Sequence, residues 1–175
     1  MSQRVLIAGI GNIFLQDDGC GVEVVRRLAA ESLPEWVRVA DFGIRGVHLA
    51  YDMLDGDYDA AILVDAAPRG EEPGTVYLIE PDIEAVDTRE PVSLDAHGMD
   101  PQVVLQTIKT LGGMRGRLYI VGCEPLETEE GIGLSAPVAG GVEDAIKLVH
   151  NIVERLSAGN FNEEREVKGC KQVSR

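Results

Sequence analysis

The sequence predicts an α/β protein, a three-layer αβα sandwich around a mostly parallel, twisted five-stranded sheet. Segments typical of strands and helices alternate in the order βαβαββαβα, which favours helices on both faces of a parallel sheet. The third strand segment, residues 60–64, is apolar throughout, as is typical of a central parallel strand covered on both faces. The chain has 175 residues, 45% of them hydrophobic, which suits one domain with one sizeable core.

The predicted strands are apolar or alternating runs that end at glycine or at charged residues. The first run, RVLIAGI, is buried in character, whereas the second, WVRVAD, alternates in polarity. Acidic residues 81–91 show no period and are predicted to form a loop. The five strands are expected at residues 4–10, 36–41, 60–64, 74–79 and 117–123.

The predicted helices show apolar positions at helical spacing and end at glycines or polar residues. Ser135 is the expected N-cap of the last helix, with Pro137 in its first turn. The four helices are expected at residues 19–30, 46–54, 100–111 and 135–156. Residues 1–157 are therefore predicted to form one domain, and the polar residues 158–175 a flexible tail.

The composition excludes several classes of partner. The formal net charge is −14, with 30 acidic and 16 basic residues, so the surface repels nucleic acid and anionic membranes. No apolar run approaches the ~20 residues that span a bilayer. No signal peptide is visible, and we expect a cytoplasmic protein. The three cysteines, Cys20, Cys123 and Cys170, fit neither a disulfide framework nor a CxxC metal site.

The loop after the first strand, residues 9–21, is the most informative segment. Gly9 and Gly11 follow a strand and Asp41 ends the next one, which is the start of a dinucleotide-binding pattern. A nucleotide-binding oxidoreductase is thus an alternative. However, Phe14 occupies the third glycine position, and Asp17 and Asp18 place two negative charges where a diphosphate would bind.

The two acids of this loop suggest different roles. An acid at a helix start can cap the helix or favour its dipole, and this structural role is predicted for Asp17. Asp18 is the better candidate ligand because open α/β sheets bind ligands at the carboxyl ends of their strands. Asp65 follows the apolar third strand and should emerge at the same edge.

His97, in the segment SLDAHGM, is the third candidate ligand. A lone histidine in a loop is usually a surface residue, but two carboxylates and one imidazole together suit a divalent transition metal. Three protein ligands leave positions open for water or substrate. The motifs HExxH and GxSxG are absent from the sequence, so a standard zinc protease or serine hydrolase is not supported.

Over residues 4–156 the sequence resembles the maturation endopeptidases of NiFe hydrogenases. The resemblance implies that Asp18, Asp65 and His97 are the family's metal-binding residues. It also implies a single catalytic domain of the aspartic-type endopeptidase group. The block DFGIRG at 41–46 departs from the family's usual DGGTxG at Phe42, Ile44 and Arg45. The matching blocks are GIGN at 9–12, DDGCG at 17–21, DFGIRG at 41–46, VDA at 64–66 and the loop of His97.

The resemblance implies a substrate, a cofactor state and a mechanism. The substrate would be the nickel-loaded precursor of a NiFe-hydrogenase large subunit, from which a C-terminal extension is removed. Nickel would come with the substrate, and no cofactor would be permanently bound. The metal could activate water, or Asp41 or Asp17 could act as general base. The protein would act as a monomer. A non-enzymatic nickel-binding accessory module is a further alternative.

Overall fold

A computed structural model describes residues 3–88, 101–159 and 171–172, and it confirms the predicted αβα sandwich. The sheet contains the five predicted strands and one more short strand. The helices pack on its two faces. In chain order the elements are β1 (Val5–Ile10), α1 (Cys20–Leu28), β2 (Val37–Gly43), α2 (Gly46–Asp55), β3 (Ala60–Ala66), β4 (Val76–Ile79), α3 (Pro101–Thr110), β5 (Arg117–Cys123), α4 (Ala136–Ser157) and β6 (Lys171–Gln172).

The strand order is β2-β1-β3-β5-β4-β6. Strands β1, β2, β3 and β5 are parallel, β4 is antiparallel to β5, and β6 pairs with β4. The carboxyl ends of β1, β2, β3 and β5 therefore meet at one edge of the sheet, called the carboxyl edge below. From β1 the chain continues to β2, which lies on one side of β1, and then crosses to β3, which lies on the other side of β1. The gap between β1 and β3 is thus a topological switch point, where open α/β sheets bind ligands.

Two apolar layers cover the sheet. Val5 and Ile7 face a cluster formed with α1 and α4, whereas Leu6 and Ala8 face a second cluster formed with α2 and α3. Successive side chains of a strand point to opposite faces, so a strand covered on both faces must be apolar throughout. This explains the continuous apolar character of β1 and of most of β3. No helix in the described parts of the chain is long and apolar enough to span a membrane.

Two features were not anticipated. The two-residue strand β6 lies within the segment predicted to be a flexible tail, and the rest of that segment from residue 160 onward lies outside the described residues. Ser135 is the N-cap residue of α4, as predicted, but its side chain makes no capping hydrogen bond there. The hydroxyl is instead used by a buried carboxylate of another loop.

Candidate active site at the carboxyl edge

Asp18 lies in a short 3-10 helix, Gln16–Gly19, between β1 and α1. Its carboxylate accepts a hydrogen bond of 2.7 Å from the Asn12 amide. The loop is tight here, because Gly11 has a φ of +125° and a Cβ on it would lie 1.8 Å from the Asp18 carbonyl oxygen. Burial raises the pKa of Asp18 above its ordinary value, and the Asn12 hydrogen bond opposes this shift.

Asp65 is the sixth residue of β3 and is 1% exposed. The first turn of α1 sits directly against the ends of β1 and β3. A Cβ on Gly21 would lie 2.0 Å from the Val64 carbonyl oxygen and 2.4 Å from that of Ile10. Asp18, just before α1, and Asp65, at the end of β3, therefore both lie in segments that meet at the switch point. This is the placement that the sequence predicted for both carboxylates.

Asp17, next to Asp18, has a different environment. It is fully buried, and its carboxylate accepts hydrogen bonds from the amides of Leu126, Glu127 and Ser135 at 2.9, 3.1 and 2.7 Å, and from the Ser135 hydroxyl at 2.8 Å. Burial raises the pKa of Asp17, but these hydrogen bonds outweigh burial and hold the pKa below its ordinary value.

These contacts correct two predictions for Asp17. The prediction that it stabilises the start of α1 as a cap is wrong, since α1 has Gly19 as its N-cap and no side-chain capping bond. Asp17 instead joins the β1–α1 loop to the β5–α4 loop and to the start of α4. Its oxygens already accept four hydrogen bonds, so Asp17 is also not the free carboxylate that a general base requires.

Glu124, a residue that the sequence analysis missed, lies directly after β5 and is 5% exposed. Its carboxylate accepts hydrogen bonds from the amides of Arg69 and Gly70 at 2.8 and 3.1 Å. The Tyr77 hydroxyl lies 3.2 Å from the same carboxylate. Glu124 thus holds the loop that follows Asp65. The rule that selected Asp65, an acid at the end of an apolar strand, would also have found Glu124.

Asp41, the candidate general base, lies near the end of edge strand β2, opposite Gly9 of β1. Its side chain is exposed and lies 3.7 Å from the Arg26 guanidinium. Arg45 donates hydrogen bonds to the backbone carbonyls of Asp41 and Phe42. Arg45 therefore stabilises its own loop. The Gly11 amide also donates to the Gly43 carbonyl at 3.0 Å.

The other candidate residues have simpler environments. Cys20 and Cys123 are buried and not disulfide-bonded, as expected of small core residues. The hydrogen bond with Cys123 and burial raise the pKa of Cys20, so its thiol is protonated. His97 and Cys170 lie outside the described residues. Within the described ranges, no three His, Cys, Asp or Glu side chains form a group that could hold a metal, so the three-ligand set stays a prediction.

Comparison with known proteins identifies the family. A family model described as hydrogenase maturation protease matches residues 22–152, more than half of the chain. The chain belongs to the hydrogenase maturation protease family. It is therefore a hydrolase that acts as a peptidase, and the oxidoreductase alternative is not favoured. In a dinucleotide-binding loop the amides after β1 face a diphosphate, whereas here the Asn12 amide donates to Asp18.

Individual relatives agree with this assignment. The hydrogenase expression/formation protein HupD of Rhodobacter capsulatus is 36% identical over 147 residues, covering 82% of this chain and 68% of that protein. The hydrogenase 2 maturation protease of Escherichia coli is 31% identical over 149 residues, covering 83% and 88%. The solved structure of the hydrogenase maturating endopeptidase HybD from E. coli superposes with a TM-score of 0.73 at 27% identity, covering 88% and 94%.

Proposed function

We propose that this maturation protease removes the C-terminal extension of a NiFe-hydrogenase large-subunit precursor that already carries nickel. The observation that supports this proposal is the position of Asp18 and Asp65 at the switch point between β1 and β3. Two carboxylates at a ligand-binding edge suit a divalent cation. The family assignment makes the substrate a protein. We propose that this protein supplies the cation and that the protease holds no cofactor permanently.

Asp18 and Asp65 would contact the nickel of the precursor, with His97 as the predicted third ligand. The Asp18 carboxylate accepts one hydrogen bond from the described residues, which leaves acceptor capacity for a cation. A bound cation also favours the charged form of a carboxylate. Contact with nickel would therefore offset the raised pKa that burial gives Asp18.

Peptide hydrolysis additionally needs an activated water. The nickel could polarise the scissile carbonyl or acidify a bound water. Alternatively, nickel serves for recognition and Asp41 takes the proton from water as general base. Asp41 suits this role better than Asp17, because its carboxylate is exposed and its ion-pair contact is long. We further propose that the protein acts as a monomer in the cytoplasm, where precursor subunits are synthesised.

The experiment is cleavage of purified precursor, with and without nickel, by wild type and by Asp18→Asn, Asp65→Asn and His97→Ala. Loss of a metal contact or a catalytic carboxylate should lower kcat/KM by about 100-fold or more. The matched control is Asp144→Asn, because Asp144 is an exposed acid on α4 whose side chain is 67% accessible. Cleavage at the wild-type rate by all three site variants, or equal cleavage of nickel-free precursor, would contradict the proposal.

Asp41→Asn separates the two ways of activating water. If Asp41 is the general base, this variant loses kcat at every pH while its KM for nickel-loaded precursor changes little. If nickel activates the water, Asp41→Asn keeps its kcat and the acidic limb of its pH–rate profile.

A further inference from the structure

Exposed apolar side chains gather in two loops of the carboxyl edge. Ile13 and Phe14, in the β1–α1 loop, are 37% and 62% exposed. Leu126 and Ile132, in the β5–α4 loop, are 55% and 84% exposed. We call these four residues the rim patch. Single exposed apolar residues are ordinary, but a group of them beside a ligand-binding edge is typical of an interaction site.

The backbone makes the two loops neighbours. The Gly131 amide donates to the Phe14 carbonyl at 2.9 Å, and the Gln16 amide donates to the Gly131 carbonyl at 3.1 Å. These bonds form a short β-bridge between Leu15 and Gly131. The bridge is parallel, so Phe14 lies just before it on one segment and Ile132 just after it on the adjacent segment.

The rim patch is also held in place from beneath. The Asp17 carboxylate accepts the amides of Leu126 and Glu127 at one end of the β5–α4 loop and that of Ser135 at the other. A partner would therefore meet a surface that is already formed. Such a surface requires little ordering of the loops on binding, and preorganisation of this kind increases affinity.

Charge indicates the chemistry of the partner. Glu127, Glu129 and Glu130 are exposed in the same β5–α4 loop. Neither residues 9–21 nor residues 124–135 contain any Lys or Arg. An apolar patch beside three glutamates, in loops that contain no Lys or Arg of their own, is complementary to a segment that carries apolar side chains together with Lys or Arg. A second copy of this chain would bring its own net charge of −14 toward these glutamates, which disfavours self-association here.

The patch is continuous with the candidate active site. The Asp18 amide donates to the Leu15 carbonyl at 3.1 Å, so the loop that carries Phe14 also carries Asp18. A polypeptide lying on the patch would therefore reach the edge where Asp18 and Asp65 lie.

We propose that the rim patch is the docking surface for a segment of the substrate protein that combines apolar side chains with Lys or Arg. This inference rests on the proposed function, because it takes the precursor as the occupant. It adds a binding determinant that is separate from the nickel contacts.

The test uses the double variant Phe14→Ser/Ile132→Ser and two parallel measurements on nickel-loaded precursor. The Kd for the precursor tests the docking surface, and cleavage of the precursor tests the proposed function. We expect the Kd and KM of the double variant to rise about tenfold, because buried aromatic and aliphatic anchors commonly dominate interfaces. Its kcat should stay within about twofold, since apolar side chains have no group that takes part in peptide hydrolysis. The matched control is Leu111→Ser, because the Leu111 side chain is also exposed, at 46%. Leu111 lies between α3 and the start of β5, and therefore toward the opposite edge of the sheet.

Charge reversal tests the second half of the proposal. Glu129→Lys/Glu130→Lys should raise the Kd at low ionic strength, and this effect should shrink in high salt. Glu143→Lys/Asp144→Lys on α4, which changes the net charge by the same amount, is the control for a general change in net charge.

Three outcomes would overturn the docking surface. The first is an unchanged Kd for the Phe14→Ser/Ile132→Ser variant, and the second is an equal loss of binding in Leu111→Ser. The third is that wild type sediments as a dimer whereas the double variant sediments as a monomer. By contrast, wild type that binds the precursor through these residues but leaves it uncut would contradict the proposed removal of the C-terminal extension and support the docking surface.

Discussion

The two ends of the carboxyl edge are built differently. On the β5 side, the buried carboxylates of Asp17 and Glu124 accept backbone amides from loops distant in sequence. On the β2 side, Asp41 is exposed, and its loop is held by the exposed side chain of Arg45 through bonds to the local carbonyls of Asp41 and Phe42. Hydrogen bonds to buried charges are stronger and costlier to lose than contacts made by solvated side chains.

This difference separates two tasks. The β5 side forms a fixed frame, because Asp17 joins the loops after β1 and β5 while Glu124 joins the loops after β5 and β3. Those are the loops around Asp18 and Asp65. The β2 side contains the block in which this sequence departs from the family pattern, at Phe42, Ile44 and Arg45. Ile44 and Arg45 are exposed, so these two positions can change at low structural cost, whereas Phe42 is buried in the core formed with α2 and α3.

The largest effect is expected for Asp17→Ala, which removes the centre of the frame. It leaves the amides of Leu126, Glu127 and Ser135 without their acceptor in a buried site. We expect the free energy of unfolding to fall by about 3 kcal/mol or more. Urea denaturation followed by circular dichroism measures this change. Asp41→Ala at the other end of the edge should change stability by less than about 0.5 kcal/mol. Similar losses in the two variants would contradict the distinction between the two sides.

A smaller effect is expected for Glu124→Gln. Glutamine keeps the size of the side chain, but its terminal NH2 group is a donor. Each of the two carboxylate oxygens of Glu124 accepts one amide, from Arg69 or from Gly70, so one of these two bonds is lost in the variant. We expect a loss of about 2 kcal/mol and faster hydrogen exchange at these two amides. Unchanged exchange at Arg69 and Gly70 would show that Glu124 does not hold the loop after Asp65. Glu143→Gln, at an exposed acid of α4, serves as the control.

The sequence was sufficient for the fold because β1, β3 and β5 are buried, mostly apolar runs that helical layers cover, and because strand and helix patterns alternate along the chain. It was also sufficient to place Asp18 and Asp65, since parallel strands bring their carboxyl ends to one edge. It did not reveal the partners of Asp17, because Ser135 lies 118 residues away and local rules assign an acid at a helix start to that helix. The strand β6 was missed because two polar residues carry no strand pattern.

A smaller effect than that of Glu124→Gln is expected for Arg45→Ala, which tests whether the two sides are independent. Its guanidinium is exposed and donates to carbonyls of its own loop, so we expect a loss of less than about 1 kcal/mol. The sharper measurement is a double-mutant cycle that compares the stability losses of Arg45→Ala, Glu124→Gln and the double variant. Losses from separate sites without shared partners add to within about 0.5 kcal/mol. However, the Gly11 amide joins the β1–α1 loop to the β2–α2 loop through Gly43. Additive losses would show that this bond leaves the β2 side free to vary. A coupling clearly above that limit would show that the edge responds as one unit, so that changes in the 41–46 block also reach Asp18.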